Sequence, residues 1–162
     1  YKYMDILFLM CYIEIERNEG VMMSVNFYDS VDDNLLKFAV IVSKSNGKWV
    51  FCKHKNRTTY EIPGGHREHG EDIIETARRE LVEETGAIDF DLKPICVYSV
   101  IDENNFDGSE TFGLLCYAGI STFGEIDSEI EKIVMLDDLP DNWTYPNIQP
   151  YLIKELQKRN IV

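Results

Sequence analysis

The chain has 162 residues, the length of one domain with a substantial core. Its 29 Asp and Glu against 16 Lys and Arg give a formal net charge of −13 at pH 7, and a surface this acidic disfavours long nucleic acid as a partner. No run approaches the roughly 20 apolar residues that a membrane-spanning helix needs, so a membrane partner is not expected.

The first 22 residues stand apart from the rest. The apolar run Ile6–Ile13 is too short to span a membrane and is not followed by a signal-peptide cleavage site. One interpretation is a β-hairpin with a turn at Arg17–Gly20. Another is a translated leader, because Glu19–Val21, before Met22, could be encoded as a bacterial ribosome-binding site. We therefore predict an N-terminal extension over residues 1–22 and a domain over 23–162.

In the first half of that domain, the pattern predicts a buried strand followed by a hairpin. Leu36–Val42 is rich in β-branched and apolar residues, and the Asn-Gly pair in Ser45–Lys48 favours a tight turn. Trp49–Lys53 is the expected partner strand. Tyr60–Ile62 continues the strand pattern until Pro63–Gly65 breaks regular structure.

A helix is predicted over residues 71–85. Ile74, Ala77 and Leu81 recur at helical spacing and form one apolar face, which we expect to pack on the sheet. Acidic residues at the start suit the helix dipole, and Gly86 is a ready C-terminal stop.

The second half of the chain alternates strands and loops before a last helix. Strands are predicted at Pro94–Ile101, Thr111–Ile120 and Lys132–Leu136, with an acidic loop at Gly124–Glu131 and a helix at Asn147–Lys158. The sequence therefore predicts an α/β fold, with a mixed β-sheet carrying helices on both faces.

The four cysteines show no metal-binding spacing. Cys52, Cys96 and Cys116 lie in apolar, strand-like runs, where we expect reduced, buried thiols. Reduced thiols indicate a reducing compartment, and we predict a cytoplasmic localisation.

Three glutamates crowd one region of the first predicted helix. Glu83 and Glu84 lie three and four residues after Glu80, a spacing at which like charges repel by roughly 0.2–0.5 kcal/mol per pair. A solvated acidic face, salt-bridge pairing and a divalent-metal site would each explain the cluster, and on composition alone the solvated face is the commonest. Mg²⁺ takes hard oxygen ligands and keeps several waters, which suits carboxylates one helical turn apart.

The spacing around these acids resembles the Nudix box, G-x5-E-x7-R-E-U-x-E-E-x-G-U, where U is a bulky aliphatic residue. The matching positions are Gly65, Glu71, Arg79, Glu80, Leu81, Glu83, Glu84 and Gly86. Ala87 departs from the pattern because it is small where a bulky aliphatic is usual. The preceding Glu61–Gly65 is similar to the entry into the box in the MutT-type branch.

The resemblance implies a Nudix α/β/α sandwich that hydrolyses a nucleoside diphosphate linked to another moiety, with Mg²⁺ or Mn²⁺ as cofactor. It implies metal-binding roles for Glu80, Glu83 and Glu84, and a further ligand in the backbone carbonyl of Gly65. Glu71 and Arg79 resemble the ion pair that braces the loop against the helix.

The general base has two possible sources. Glu83 or Glu84 would supply it from the box, whereas several Nudix branches take it from a distal loop. In this chain the distal loop makes Glu129 the candidate, with Glu125 behind it. An ordinary acidic surface loop explains these two residues equally well.

The sub-family signals favour the MutT-type, nucleoside triphosphate end of the family, including 8-oxo-dGTP sanitation. The proline typical of ADP-ribose hydrolases would fall near Asp102 and is absent. The tyrosine of dinucleoside polyphosphate hydrolases is missing from residues 103–105, and no coenzyme A signature precedes the box. Hydrolysis of another nucleotide or of an RNA 5′ end, and a non-catalytic Nudix regulator, are the alternatives.

Several side chains are candidate substrate contacts. Asn147 would read a purine edge, although an ordinary helix cap explains it as well. Lys37 would meet phosphate, and Tyr60 would stack on a base, with a solvated surface and core packing as the respective alternatives. Weaker candidates of the same kinds are Arg57, Phe112, His66 and His69. We expect a small-molecule nucleotide as the partner, no nucleic acid polymer, and a monomer or homodimer.

Overall fold

A computed structural model describes residues 23–102, 108–126 and 128–162 of the chain. The predicted extension at residues 1–22 lies outside these ranges, so its two interpretations stay predictions.

The described residues form seven strands and two α-helices. The elements are β1 (Met23–Tyr28), β2 (Leu36–Ser45), β3 (Lys48–His54), β4 (Gly64–His66), α1 (Ile73–Thr85), β5 (Ala87–Asp102), β6 (Thr111–Phe123), β7 (Ile130–Leu136) and α2 (Gln149–Lys158). A short 3₁₀ turn, Asp33–Leu35, leads into β2.

The strands make one mixed sheet in the order β1-β5-β6-β2-β3-β7. The central pair of β2 and β6 is parallel, and the remaining pairs are antiparallel. The predicted hairpin joins β2 to β3, with Asn46 at φ 49° and Gly47 at φ 80°, the left-handed geometry of a tight hairpin turn.

Each helix covers one face of the sheet. Ile73, Ala77 and Leu81 of α1 are buried against the face that carries Ala39 and Ile41 of β2. The buried residues Leu152, Ile153 and Leu156 of α2 pack against the opposite face, with Val42 and Phe51. The predicted α/β fold with helices on both faces is confirmed.

Along one of its edges, β2 pairs with two different strands in turn. Residues Phe38–Val40 pair with β4, whereas Ser43–Ser45 pair with β3. Between them, the Ile41 amide donates to the Pro63 carbonyl at 2.9 Å. An added Cβ at Gly64 would overlap the backbone of Ala39, so only glycine allows β4 this close. A cavity lies where β3 and β4 separate, and the residues of β4 line it.

The ends of α1 follow from local chemistry. Asp72 is the N-cap and makes a reciprocal capping box with Glu75. Gly86 is the C-cap at φ 70°, which confirms the predicted stop.

Two predicted boundaries differ in the structure. β5 begins at Ala87 rather than Pro94, because its pairing with β6 absorbs Pro94 at a register shift. α2 begins at Gln149 rather than Asn147, with Ile148 as its N-cap and no side-chain cap. The interpretation of Asn147 as a helix cap is therefore wrong.

The thiols of Cys52, Cys96 and Cys116 are free and buried, as predicted. Burial raises the pKa of each of them, so they stay protonated near neutral pH. Among the described helices, none has the length and apolar character to cross a membrane. The cytoplasmic localisation stays a prediction.

Candidate active site

A cavity of about 680 Å³ lies beside the first half of β2, and its lining includes residues of both α1 and α2. Its lining has two parts of different character. We call the first the polar half, and it contains Gly64, Gly65, Arg79, Glu80, Glu84 and Glu129. The second, the apolar half, belongs to the core on the α2 face and contains Val40, Ile62, Tyr98, Val100, Ile148 and Leu152.

Arg79 and Glu71 form the predicted brace between α1 and the loop before it. Arg79 Nε donates to Glu71 Oε1 at 2.8 Å, and Nη2 donates to Oε2 at 3.0 Å. The Arg79 hydrogen bond, supported by the Thr76 hydroxyl, lowers the pKa of Glu71 to about 2. Arg79 Nη2 also donates to the carbonyl of His66 at 3.0 Å, which ties the loop backbone to the helix.

The same guanidinium group contacts two of the three clustered glutamates. Arg79 Nη1 donates to Glu80 Oε1 at 2.7 Å and to Glu83 Oε2 at 3.2 Å. The Glu80 side chain is 12% exposed and that of Glu83 is 52% exposed. An added Cβ at Gly65 would overlap the Glu80 carboxylate, so this glycine lets the loop and the acid lie against each other.

Glu84 is the most buried of the three and has no cation beside it in the described structure. It is 9% exposed and accepts a hydrogen bond from the Gly64 amide at 2.8 Å. Burial, opposed by the hydrogen bond from the Gly64 amide and reinforced by the nearby carboxylates of Glu80, Glu61 and Glu129, raises the pKa of Glu84 to about 8. Burial also raises the pKa of Glu80.

These residues fit a divalent cation. Buried carboxylates that repel one another are stabilised by a positive charge, and carboxylate and carbonyl oxygens are the ligands that Mg²⁺ and Mn²⁺ prefer. In the part of the chain that is described, no group of three or more acidic, histidine or cysteine side chains is arranged to hold a metal ion without further ligands or rearrangement. An open donor set of this kind suits Mg²⁺, which keeps several of its waters.

Glu129 reaches the polar half from the loop before β7. The Lys55 amide holds its carbonyl at 3.0 Å, and the Lys55 ammonium donates to the neighbouring Ser128 carbonyl at 2.6 Å. The side chain of Glu129 lines the cavity, whereas Glu125 is exposed and does not line it. Of the two distal-loop candidates, the structure brings only Glu129 to the carboxylate cluster.

A family model described as the NUDIX domain matches residues 33–154 of this chain. The chain belongs to the Nudix family. The Bacillus subtilis (strain 168) protein named "Putative 8-oxo-dGTP diphosphatase YtkD" is 35% identical over 79 residues, which is 49% of this chain and 49% of that protein. The match thus spans about half the length of this curated relative, and it supports a MutT-type Nudix hydrolase.

Solved Nudix structures share the fold. The Bacillus subtilis pyrophosphohydrolase BsRppH superposes with a TM-score of 0.69 at 23% identity, covering 85% of this chain and 92% of that one. An Ap4A hydrolase of C. elegans superposes with a TM-score of 0.57 at 16% identity, covering 76% and 98% of the two chains. Together with the family match, these superpositions show that the chain has the Nudix fold.

The substrate contacts predicted for this Nudix chain do not gather at the cavity. Lys37 is exposed and donates to the Asn34 carbonyl at 2.8 Å, and Asn147 is exposed before α2. Tyr60 packs in the core on the α2 face, and Phe112 packs against Tyr28 at 5.7 Å between ring centres. None of these four predicted contacts lines the cavity. Their substrate roles stay predictions.

The lining of the Nudix cavity also includes side chains that the sequence analysis did not select or selected only as weak candidates. Gln149, two places after Asn147, is buried and holds the Ile62 backbone, accepting from its amide at 3.0 Å and donating to its carbonyl at 3.4 Å. Arg57 lines the cavity and pairs with Glu61 at 2.7 Å. The spacing of Arg57 four residues before the box-entry glutamate is the signal that could have raised its rank.

The two histidines of the loop before α1 differ. His66 lines the cavity and its ring lies 4.6 Å from that of Phe38, edge to face. His69 is exposed and does not line the cavity. Only His66 is therefore placed to influence a bound substrate.

Proposed function

We propose that this Nudix hydrolase is a Mg²⁺-dependent nucleoside triphosphate pyrophosphohydrolase, with 8-oxo-dGTP as a substrate and the monophosphate and pyrophosphate as products. The observation that carries the proposal is the continuity of the cavity. The acidic face of α1 opens into an apolar half, and about 680 Å³ is within the usual range for small-molecule sites. The name of the Bacillus subtilis relative supports the choice of 8-oxo-dGTP.

The cation would be held by Glu80, Glu83 and Glu84, with the carbonyl of Gly65 beside them. A bound Mg²⁺ or Mn²⁺ supplies charge neutralisation on the phosphate oxygens and orients a water for in-line attack. Mn²⁺ takes the same oxygen ligands, so we expect it to support activity as well.

Arg79 and Glu71 hold the carboxylates of the acidic face of α1 in position. The guanidinium group contacts Glu71, Glu80 and Glu83 together, and also the His66 carbonyl. It therefore fixes both the carboxylates and the loop on which Gly65 lies. We assign Arg79 and Glu71 a positioning role rather than contact with the reacting atoms.

A carboxylate must accept the proton of the attacking water. Glu129 lines the cavity without a hydrogen bond from Arg79, so its oxygens are available for that proton. Glu84 is the second candidate, because burial among other carboxylates raises its pKa and so its proton affinity. Glu83 is exposed and does not line the cavity, which makes it the weakest of the three.

The apolar half would receive the base, while the phosphates point to α1. The Arg57 guanidinium, which pairs with Glu61 and lies 5.9 Å from the Tyr145 ring centre, adds positive charge to the lining. That charge eases the approach of an anionic nucleotide to a protein of net charge −13.

Substrate choice is tested by steady-state kinetics on a panel with Mg²⁺. The panel holds the four common dNTPs, 8-oxo-dGTP, ADP-ribose, a diadenosine polyphosphate and a triphosphorylated RNA 5′ end, and Glu84→Gln is compared with wild type. We expect the highest kcat/KM for 8-oxo-dGTP and a loss of about 100-fold or more in the variant.

Other outcomes would change the proposal in distinct ways. A clear preference for ADP-ribose, the dinucleotide or the RNA end would keep the site and replace the substrate. Nucleotide binding without turnover of any member of the panel would make the chain a regulatory Nudix module.

A further inference from the structure

Tyr98 lies in the second half of β5, directly opposite Gly113 on β6. An added Cβ at Gly113 would lie 2.6 Å from ring atoms Cε1 and Cζ and 2.7 Å from the hydroxyl oxygen. The outer end of the tyrosine ring therefore rests on the glycine, and no side chain other than hydrogen fits beneath it. Gly113 is in turn the register partner of Phe38 on β2, at the edge of the cavity. The glycine thus lets Tyr98 extend from β5 towards that edge.

The Tyr98 hydroxyl has no hydrogen-bond partner among the described residues, although the side chain is only 6% exposed. Tyr28 on the neighbouring strand is different, because its hydroxyl donates to Glu110 at 2.6 Å. In the described part of the chain, no completely enclosed side-chain nitrogen or oxygen lacks a partner. The Tyr98 hydroxyl must therefore touch open space, and the space that Tyr98 lines is the cavity.

The neighbouring polar groups of the cavity are already engaged. Gln149 bonds the amide and the carbonyl of Ile62, and the Thr111 hydroxyl donates to the Val100 carbonyl at 3.2 Å. Burial raises the pKa of Tyr98, so its hydroxyl keeps its proton and can both donate and accept. A buried polar group without a partner costs folding free energy that phenylalanine would not cost. The Tyr98 hydroxyl is therefore available to form a hydrogen bond with a ligand in the cavity.

We propose that Tyr98 is a specificity-determining residue whose hydroxyl hydrogen-bonds a polar edge of the substrate's nucleobase in the apolar half of the cavity. The inference rests on the proposed function, since it takes the substrate to be a nucleotide whose base enters that half. The surrounding walls are apolar, so they hold any base by contact alone, whereas one directed hydroxyl distinguishes bases by their edges. A site built around such a hydrogen bond disfavours bases that cannot complete it.

The test is equilibrium binding of nucleoside monophosphates, which is independent of turnover. Dissociation constants are measured by calorimetry for 8-oxo-dGMP, dGMP, dAMP, dCMP and dTMP, and for 2-deoxyribose 5-phosphate as a ligand without a base. The proteins are wild type, Tyr98→Phe, and Tyr117→Phe as a matched control, because Tyr117 is half-buried in the same core but does not line the cavity. Thermal midpoints are recorded for all three.

For Tyr98→Phe we expect the tightest-binding monophosphate to lose roughly 3- to 10-fold in affinity, the range for one neutral hydrogen bond. The ratio of dissociation constants between the weakest- and the tightest-binding monophosphate should fall by the same factor, while the dissociation constant of 2-deoxyribose 5-phosphate is unchanged. The thermal midpoint should stay equal or rise, because an unsatisfied hydroxyl is removed. Tyr117→Phe should bind every ligand as wild type does.

Three results would overturn the inference. They are unchanged affinities in Tyr98→Phe, an equal loss for the ligand without a base, and wild-type protein that binds no monophosphate better than 2-deoxyribose 5-phosphate. Failure of the proposed function looks different, since it would appear as missing triphosphate turnover while the base-dependent binding and its loss in Tyr98→Phe remain.

Discussion

At the scale of single residues, Glu84 shows the conflict between stability and function most clearly. Its carboxylate is buried, accepts one backbone amide and is surrounded by other acids, so burial and repulsion raise its pKa to about 8. Such a group is unfavourable for the folded protein alone and becomes favourable when a cation is bound.

The raised pKa of Glu84 predicts a pH-dependent stability of the metal-free protein. The folded state holds the Glu84 proton more tightly than the unfolded state does. The stabilisation that this proton gives to the folded protein is therefore fully present below about pH 4.5. It is lost as pH rises through about 8. In chelator, we expect the thermal midpoint of wild type to fall between pH 5 and 8 and that of Glu84→Gln to fall less. At pH 8 the variant should be the more stable by about 2–4 °C or more. Equal pH profiles for the two proteins would contradict this placement of Glu84.

The general base gives a second prediction at this scale. Glu129 lines the cavity and Glu125 does not, although both are exposed acids of one loop. We expect Glu129→Gln to lower kcat by about 100-fold or more and Glu125→Gln to leave it within about twofold. Stopped assays across pH 6–10 would check both variants. If Glu129→Gln kept both the wild-type kcat and its pH profile, Glu84 would replace Glu129 as the base.

The sequence pattern locates the polar half of the cavity but not the apolar half, and the reason is physical. Glu80, Glu83 and Glu84 lie within little more than one helical turn, and Arg79 bonds Glu71, which lies just before the N-cap of the same helix, so spacing along the chain places them. The lining of the apolar half comes from strands and a helix distant in sequence, and only the sheet brings them together. Gln149, the first residue of α2, lines the cavity, whereas Asn147 is exposed before the helix and does not.

At the scale of elements, the C-terminal end of α1 connects the acidic face with the loop that carries Glu129. The Gly124 amide donates to the Gly86 carbonyl at 2.6 Å, so the helix stop and the start of the loop are held together. Gly86 has φ 70°, and an added Cβ would lie 2.8 Å from the Gly124 carbonyl oxygen.

This contact predicts the effects of two glycine substitutions. Gly86→Ala should cost about 1–2 kcal/mol for its left-handed backbone and more for the close contact with Gly124, and it should also lower activity by shifting the loop. Gly70→Ala is the matched control, because Gly70 has φ 80° with nothing near its added Cβ. This substitution should cost only the free energy of placing alanine in the left-handed backbone conformation. Urea unfolding of both variants measures the difference. Equal costs would mean that the close contact relaxes freely.

The elements themselves were largely predictable because each has a local cause. The Asn-Gly turn, the apolar stripe of α1 and its glycine stop all appear in the structure where the pattern predicts them. The early start of β5 was missed although its signal is present, since Ile88–Lys93 alternates apolar and polar residues as a half-buried strand does, and the segment pairs with β6.

At the scale of the whole molecule, the mixed sheet brings an acidic helix face, a distal acidic loop and an apolar pocket into one cavity. A chain of net charge −13 collects carboxylates at this point in spite of their repulsion. Binding of a divalent cation should therefore couple to the stability of the entire fold.

Metal titration tests that coupling. A cation that binds only the folded state stabilises it in proportion to the logarithm of its concentration over Kd, by about 2.7 kcal/mol at 100 times Kd. We expect Mg²⁺ and Mn²⁺ to raise the thermal midpoint of wild type, and the rise to be largely absent in Glu80→Gln and Glu84→Gln. Glu75→Gln, on the exposed first turn of α1, should respond as wild type does. A rise of equal size in all four proteins would place the cation elsewhere.

The most direct test of the central claim is the fate of oxygen from water during turnover of 8-oxo-dGTP. The reaction is run with Mg²⁺ in ¹⁸O-enriched water, and the products are identified by mass spectrometry. We expect 8-oxo-dGMP and pyrophosphate, with one ¹⁸O atom from water incorporated into one of the two products per turnover, and turnover about 100-fold or more slower in Glu84→Gln. Release of orthophosphate with 8-oxo-dGDP, or equal turnover by the variant, would contradict this claim.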